Sequence, residues 1–125
     1  MKVYITNSII TRNKLKENPD VLYLFGDNTV RTGLGGQAKE MRGEPNAVGI
    51  VTKKYPNNEK DSFFYDEDFY SWLEYFSADI KNLAEKINSK KYKAIVIPPI
   101  GLGLADLPNK APKIYNYLKT TLDKL

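Results

Sequence analysis

The sequence predicts a single α/β domain, a three-layer sandwich around a mixed, partly parallel sheet. Three observations carry this reading. Four short segments rich in β-branched and aromatic residues have strand character, two longer stretches repeat apolar residues at helical spacing, and the two kinds alternate along the chain. With 125 residues there is room for one core and little more, so residues 1–125 are read as one domain.

Residues 2–6 (KVYIT) and 21–25 (VLYLF) are the first two strands. The polar stretch 11–20 between them is read as a connection closing on the turn Asn18-Pro19-Asp20. After Gly26-Asp27-Asn28 comes RTGLGGQAKEMRG, where glycines 33, 35 and 36 stop any strand and Gly36–Arg42 forms a short helix ending at Gly43. Residues 47–52 (AVGIVT) form the third strand, closed by Lys53-Lys54-Tyr55-Pro56. Phe69, Trp72, Leu73, Phe76, Ile80, Leu83, Ala84 and Ile87 then mark one face of a helix from about Asp66 to Asn88. Residues 93–98 (KAIVIP) are apolar in the way of a strand covered on both faces. A second glycine loop, PPIGLGLADLP, leads to a last helix whose apolar face is Leu107, Ala111, Ile114, Tyr115, Leu118 and Leu122. Pro112 is tolerated only in a first turn, which starts that helix near Asn109, with Asn109 as its cap.

Composition narrows the chemistry. The chain is 42% apolar and 12% aromatic, enough to build a core. It has no cysteine and no histidine, which excludes a disulfide framework, the usual zinc sites, and every Ser-His or Cys-His mechanism. No metal and no cofactor is expected, and acid–base work falls to Asp, Glu, Lys or Tyr. No run approaches the ~18 apolar residues of a membrane span, and MKVYITNSII lacks the apolar core and cleavage site of a signal peptide. A cytoplasmic protein with no membrane partner is expected. The net charge of +4 leans toward anionic partners. Its distribution, six acids and no base from Asp61 to Asp79 followed by a basic run to Lys93, is what a helix macrodipole favours. The aromatics Phe63, Phe64, Tyr65, Phe69, Tyr70 and Trp72 lie in the acidic stretch, which argues against a nucleic-acid surface and assigns them to packing and to cover over a ligand mouth.

In open α/β sheets ligands bind beyond the carboxyl ends of the strands. Three loops leave such ends here, after Phe25, Thr52 and Pro98, and two of them are glycine-rich and run into helix starts. Glycine lets the backbone approach a ligand, and helix N-termini attract anions, so two such loops side by side suit a pyrophosphate. Neither is a Walker loop or a G-x-G-x-x-G fingerprint. Asp27 and Asn28 either hydrogen-bond sugar hydroxyls or form an Asx-turn leaving the strand. At Thr52-Lys53-Lys54, a lysine either neutralises a phosphate and becomes nucleophilic if desolvated, or is a solvated charge at a strand end. Asp106 is either an N-cap or, if Asn109 takes that role, free for chemistry.

Taken together, strand-GDN, RTGLGGQA, GIVTKK, a long helix and IPPIGLGLADLP resemble the macrodomain family of ADP-ribose binders over roughly residues 21–120. The likeness is closest to macrodomains that remove terminal ADP-ribose from protein carboxylates or from DNA bases. The resemblance implies that Gly33, Leu34, Gly35, Gly36 and Gln37 line one side of the pyrophosphate and Ile100, Gly101, Leu102, Gly103 and Leu104 the other. Asp27, Asn28 and Thr52 would complete the ligand site, with Asn28 at the distal ribose. Lys53 would attack the anomeric carbon, assisted by Asp106. Apart from the resemblance, the aromatic cluster offers Tyr65 or Tyr70 to stack on an adenine. Ala105 stands where the family has its aspartate, with Asp106 one residue later, and the N-terminal aspartate that reads the adenine amino group has no clear counterpart. The implied activity is ADP-ribosyl hydrolysis, with a non-catalytic module that sequesters or senses an ADP-ribose-derived nucleotide as the other reading. The partner is ADP-ribose or an ADP-ribosylated macromolecule, nucleic acid entering only as such a substrate, and a monomer is expected.

Overall fold

A computed structural model describes residues 1–125. It is an α/β domain with a four-stranded sheet in the order β1-β4-β2-β3, formed by β1 (Lys2–Ile5), β2 (Val21–Asn28), β3 (Ala47–Lys53) and β4 (Ala94–Ile97). The expected mixed sheet is corrected here, because every pair of named strands runs parallel and the single antiparallel pairing is an isolated bridge from Lys53 to Phe63. Parallel pairing follows from the helical crossover that separates each strand from the next. The helices are α1 (Arg12–Glu17), α2 (Ala38–Met41), α3 (Phe69–Asn88), α4 (Leu107–Lys110) and α5 (Pro112–Asp123).

Alternation along β2 divides the core. Leu22 and Leu24 face the larger cluster, which Trp72, Phe76 and Leu83 of α3 and Ile114, Leu118 and Leu122 of α5 complete. Val21, Tyr23 and Phe25 face a smaller cluster built with Leu15 of α1 and Ala38 and Met41 of α2. The sheet is thus covered on both faces at its centre, where β2 and β4 are buried through most of their length, while the four residues of edge strand β1 are exposed. Edge strand β3 is closed by α3 rather than by another strand. At Val51 the backbone N–H donates to Asp79 Oδ2 at 2.8 Å and the carbonyl accepts from Trp72 Nε1 at 3.0 Å. No helix is long and apolar enough to cross a membrane.

Two expectations about local structure change. The stretch read as a connection holds α1, capped by the Thr11 hydroxyl, which accepts from the Lys14 N–H. The last helix does not begin near Asn109. Residues 107–110 form a separate turn of helix, the chain breaks at Ala111 (φ −147°), and α5 starts with Pro112 in its first turn.

Candidate functional site

At the carboxyl ends of β2 and β3 the chain opens a cleft of about 250 Å³. Its shape begins with the strands. Asn28 pairs with Lys53 while Asp27 pairs with Val51, so Thr52 is an extra residue that bulges β3 and re-aims the side chains beside it. The Thr52 hydroxyl donates to the Asp27 carbonyl at 3.2 Å, and a Cβ on Gly26 would meet the Thr52 Oγ1 at 3.3 Å.

The two glycine loops meet across this cleft. Gly33, Gly35, Gly36 and Gln37 line it from one side and Gly101, Gly103 and Leu104 from the other, with a Cβ on Gly35 only 3.2 Å from Leu104 Cδ1. Gly33 (φ 94°), Gly36 (φ 58°) and Gly101 (φ 84°) occupy the left-handed region that favours glycine. No backbone N–H from Thr32 to Gln37, or from Ile100 to Ala105, finds an acceptor within the protein. Those amides are left to solvent or to a ligand. Because α2 and α4 are single turns, the free donors at this edge belong to the loops and owe little to helix dipoles.

Of the other residues singled out in the sequence, Asp27, Asn28, Thr52 and Lys53 also line the cleft. Leu34, Leu102, Ile100 and Asp106 do not. Leu34 and Leu102 are exposed at the loop tips, and Ile100 is buried in the larger core. Asp106 has a left-handed backbone (φ 48°), precedes α4, and accepts from Asn109 Nδ2 at 2.8 Å. The two residues read as rival caps therefore bond to each other. Tyr65 and Tyr70 also lie outside the cleft. The Tyr65 hydroxyl donates to the Lys60 carbonyl, and Tyr70 is exposed beside Phe69 and Lys113. The aromatic ring on the cleft is instead Tyr55, next to Pro56.

Several polar groups already have partners. Asn28 closes its own turn, donating from Nδ2 to the Thr32 carbonyl at 2.7 Å and accepting the Val30 N–H at 3.1 Å. The Gln37 side chain accepts from and donates to the backbone of Ile10, which ties the segment before α1 to the loop. Asp27 is gripped by Arg42, through Nη2 at 2.6 Å and Nη1 at 3.3 Å, and lies 3.6 Å from Arg31. Arg31 continues to Asp79 at 2.8 Å, so four charges of balanced sign run from the cleft to α3. Burial pushes the Asp79 carboxyl above its ordinary range, against the pull of Arg31. Gly49 makes room for this arrangement, since a Cβ there would stand 2.5 Å from Asp27 Oδ2.

Lys53 is different. It is 8% exposed, its Nζ donates to the Asn57 carbonyl at 2.5 Å and lies 4.8 Å from the Phe63 ring centroid. Lys54 pairs with Asp68, whereas no carboxylate comes within ion-pair distance of Lys53. Desolvation lowers its pKa below the ordinary lysine range. Between the lowered native value and the ordinary one, the unfolded chain holds more protons than the native state, so stability rises with pH in that window. Urea unfolding from pH 7 to 10 is therefore expected to show wild type gaining stability relative to Lys53→Met as pH increases. A flat or opposite difference would contradict the desolvation of Lys53.

The sequence reading missed Arg42, Tyr55 and Asn57. Arg42 stood inside an expected helix, yet it leaves α2 with extended backbone (ψ 130°) and turns back to Asp27. Fold and site together define an α/β domain with an open polar cleft at the carboxyl edge of a parallel sheet, lined by two glycine loops. The chain belongs to a family of unknown function (DUF7831), whose model matches residues 5–121. No curated protein and no solved structure matches it.

Proposed function

We propose that the cleft binds ADP-ribose, free or carried on a macromolecule, with the diphosphate held between residues 33–36 and 101–104 of a macrodomain-like three-layer sandwich. The observation that carries this reading is the meeting of two loops whose successive amides have no acceptor in the protein. Such amides suit the spread negative charge of a diphosphate, and Lys53 adds a cation with no carboxylate against it. The motif resemblance in the sequence supplies the nucleoside and ribose.

Binding without turnover is the form of this reading that the geometry favours. Hydrolysis by the resembled branch would need a lysine free to attack and a carboxylate beside it, whereas Lys53 is engaged by Asn57 and Asp106 by Asn109. Calorimetry with ADP-ribose is expected to give saturable binding with a Kd of about 1–100 µM. ADP-ribosylated protein and oligonucleotide should keep their modification after incubation with the protein. Absence of binding at millimolar ADP-ribose overturns the ligand assignment, and release that Lys53→Ala abolishes converts the binder into a hydrolase.

A further inference from the structure

A loop binds an anion only if its amides, and not its carbonyls, face the ligand. In the first glycine loop, one side chain takes hold of two of the carbonyls. Arg42 Nε donates to the Gly33 carbonyl at 2.8 Å, and Nη2 donates to the Thr32 carbonyl at 3.1 Å. The same guanidinium forks onto both oxygens of Asp27, at 2.6 and 3.3 Å, and lies over the Phe25 ring at 5.5 Å. The Arg42 carbonyl is itself held, by Arg12 Nη2 at 2.9 Å. One planar group thus ties the end of β2, the glycine loop and the end of α2 together.

We infer that Arg42 is a positioning residue for anion binding. Its guanidinium draws the carbonyls of Thr32 and Gly33 to one side, leaving the amides of 33–37 as the backbone groups offered to the ligand. It acts through the loop, because four of its five N–H donors are committed to Asp27, Thr32 and Gly33. Asp27 in this arrangement is the counter-charge that fixes Arg42. Lysine cannot replace it, since an ammonium carries the charge but lacks the rigid fork.

The inference rests on the reading of the cleft as an ADP-ribose site, and its test is arranged so that the two can fail separately. Backbone 15N relaxation of ligand-free wild type and Arg42→Lys reports the loop itself. Gly33, Gly35 and Gly36 are expected to be ordered in wild type and to drop to order parameters below about 0.6 in the variant. With ligand, Arg42→Lys should lower ADP-ribose affinity at least tenfold while adenosine, which has no phosphate, binds both proteins within twofold. Unchanged loop relaxation in Arg42→Lys overturns the inference whether or not ADP-ribose binds. So does an equal loss for both ligands, or a variant without a dispersed native spectrum, either of which makes Arg42 a folding residue only. Ordered wild-type loops that loosen in Arg42→Lys, with no ADP-ribose binding to either protein, would uphold the positioning role and remove the ligand assignment.

Discussion

Trp72→Ala is expected to lower the free energy of unfolding by about 4–5 kcal/mol, the largest stability loss of any single truncation in the domain. The indole is fully buried, stacks on Phe76 with centroids 4.5 Å apart, and meets Phe69 and Tyr117. Removing so large a ring from a packed core costs ~3–5 kcal/mol. Its Nε1 also satisfies the Val51 carbonyl on edge strand β3, and a stranded buried acceptor costs a further ~1–3 kcal/mol where water cannot enter. A domain of this size has roughly 5–15 kcal/mol in all, so the variant loses a large fraction of its stability. Trp72→Phe keeps the ring contacts and loses the hydrogen bond, and is expected to cost about 1–2 kcal/mol. Both are read by far-UV circular dichroism in urea, since Trp72 is the only tryptophan and its fluorescence goes with it. A loss below about 2 kcal/mol for Trp72→Ala would show that α3 does not close the sheet edge.

The parts of the fold that were legible are those whose side chains bury in a regular pattern. The apolar face from Phe69 to Ile87 and the segments around β2, β3 and β4 follow directly from burial, because strand and helix periods select opposite spacings. Helix α1 was not legible. Leu15 is its one buried residue, so no periodicity marks it. It is held instead by distant partners, Arg12 on Glu44 at 2.8 Å and the Asn46 amide on the Leu15 carbonyl at 3.0 Å. Asp79 was equally hidden. In the sequence it closes the acidic half of a helix dipole, and its work at the Val51 N–H depends on where α3 lies against β3.

The site divides in the same way. Glycines 33, 36 and 101 were readable because their left-handed backbone is a local requirement. Thr52 and Lys53 were readable because they end a strand, although the bulge that aims them was not. Arg42 could not be found, since its fork joins Asp27, 15 residues away, and two carbonyls that only the folded loop presents to it. Tyr65 and Tyr70 belong to a segment rich in aromatics, whereas the ring on the cleft is Tyr55, whose neighbour Pro56 would lie 2.6 Å from a Cβ on Gly33. Composition reports how many rings a segment has, and only tertiary structure reports which one lines the cleft.

On the proposed reading, Gly103→Val is expected to abolish ADP-ribose binding, at least a 100-fold loss or about 2.7 kcal/mol, while leaving the melting temperature within about 2 °C of wild type. Nothing in the protein requires glycine at this position. Gly103 has none of the positive φ seen at Gly101, and an added Cβ meets no atom within 4 Å. Gly103 is exposed and lines the cleft, so on the proposed reading a branched side chain there takes space from the ligand rather than displacing the core. Gly101→Ala supplies the contrast. There φ is 84° and the new Cβ would lie 2.8 Å from Leu107 Cδ1, a fully buried side chain, so strain and overpacking together cost roughly 2–4 kcal/mol of stability. One variant should therefore lose ligand and keep its melting point, and the other should lose melting point first. If Gly103→Val binds ADP-ribose as wild type does, the second loop is not a wall of the ligand site. If it melts as early as Gly101→Ala, position 103 serves the fold and its glycine says nothing about a ligand.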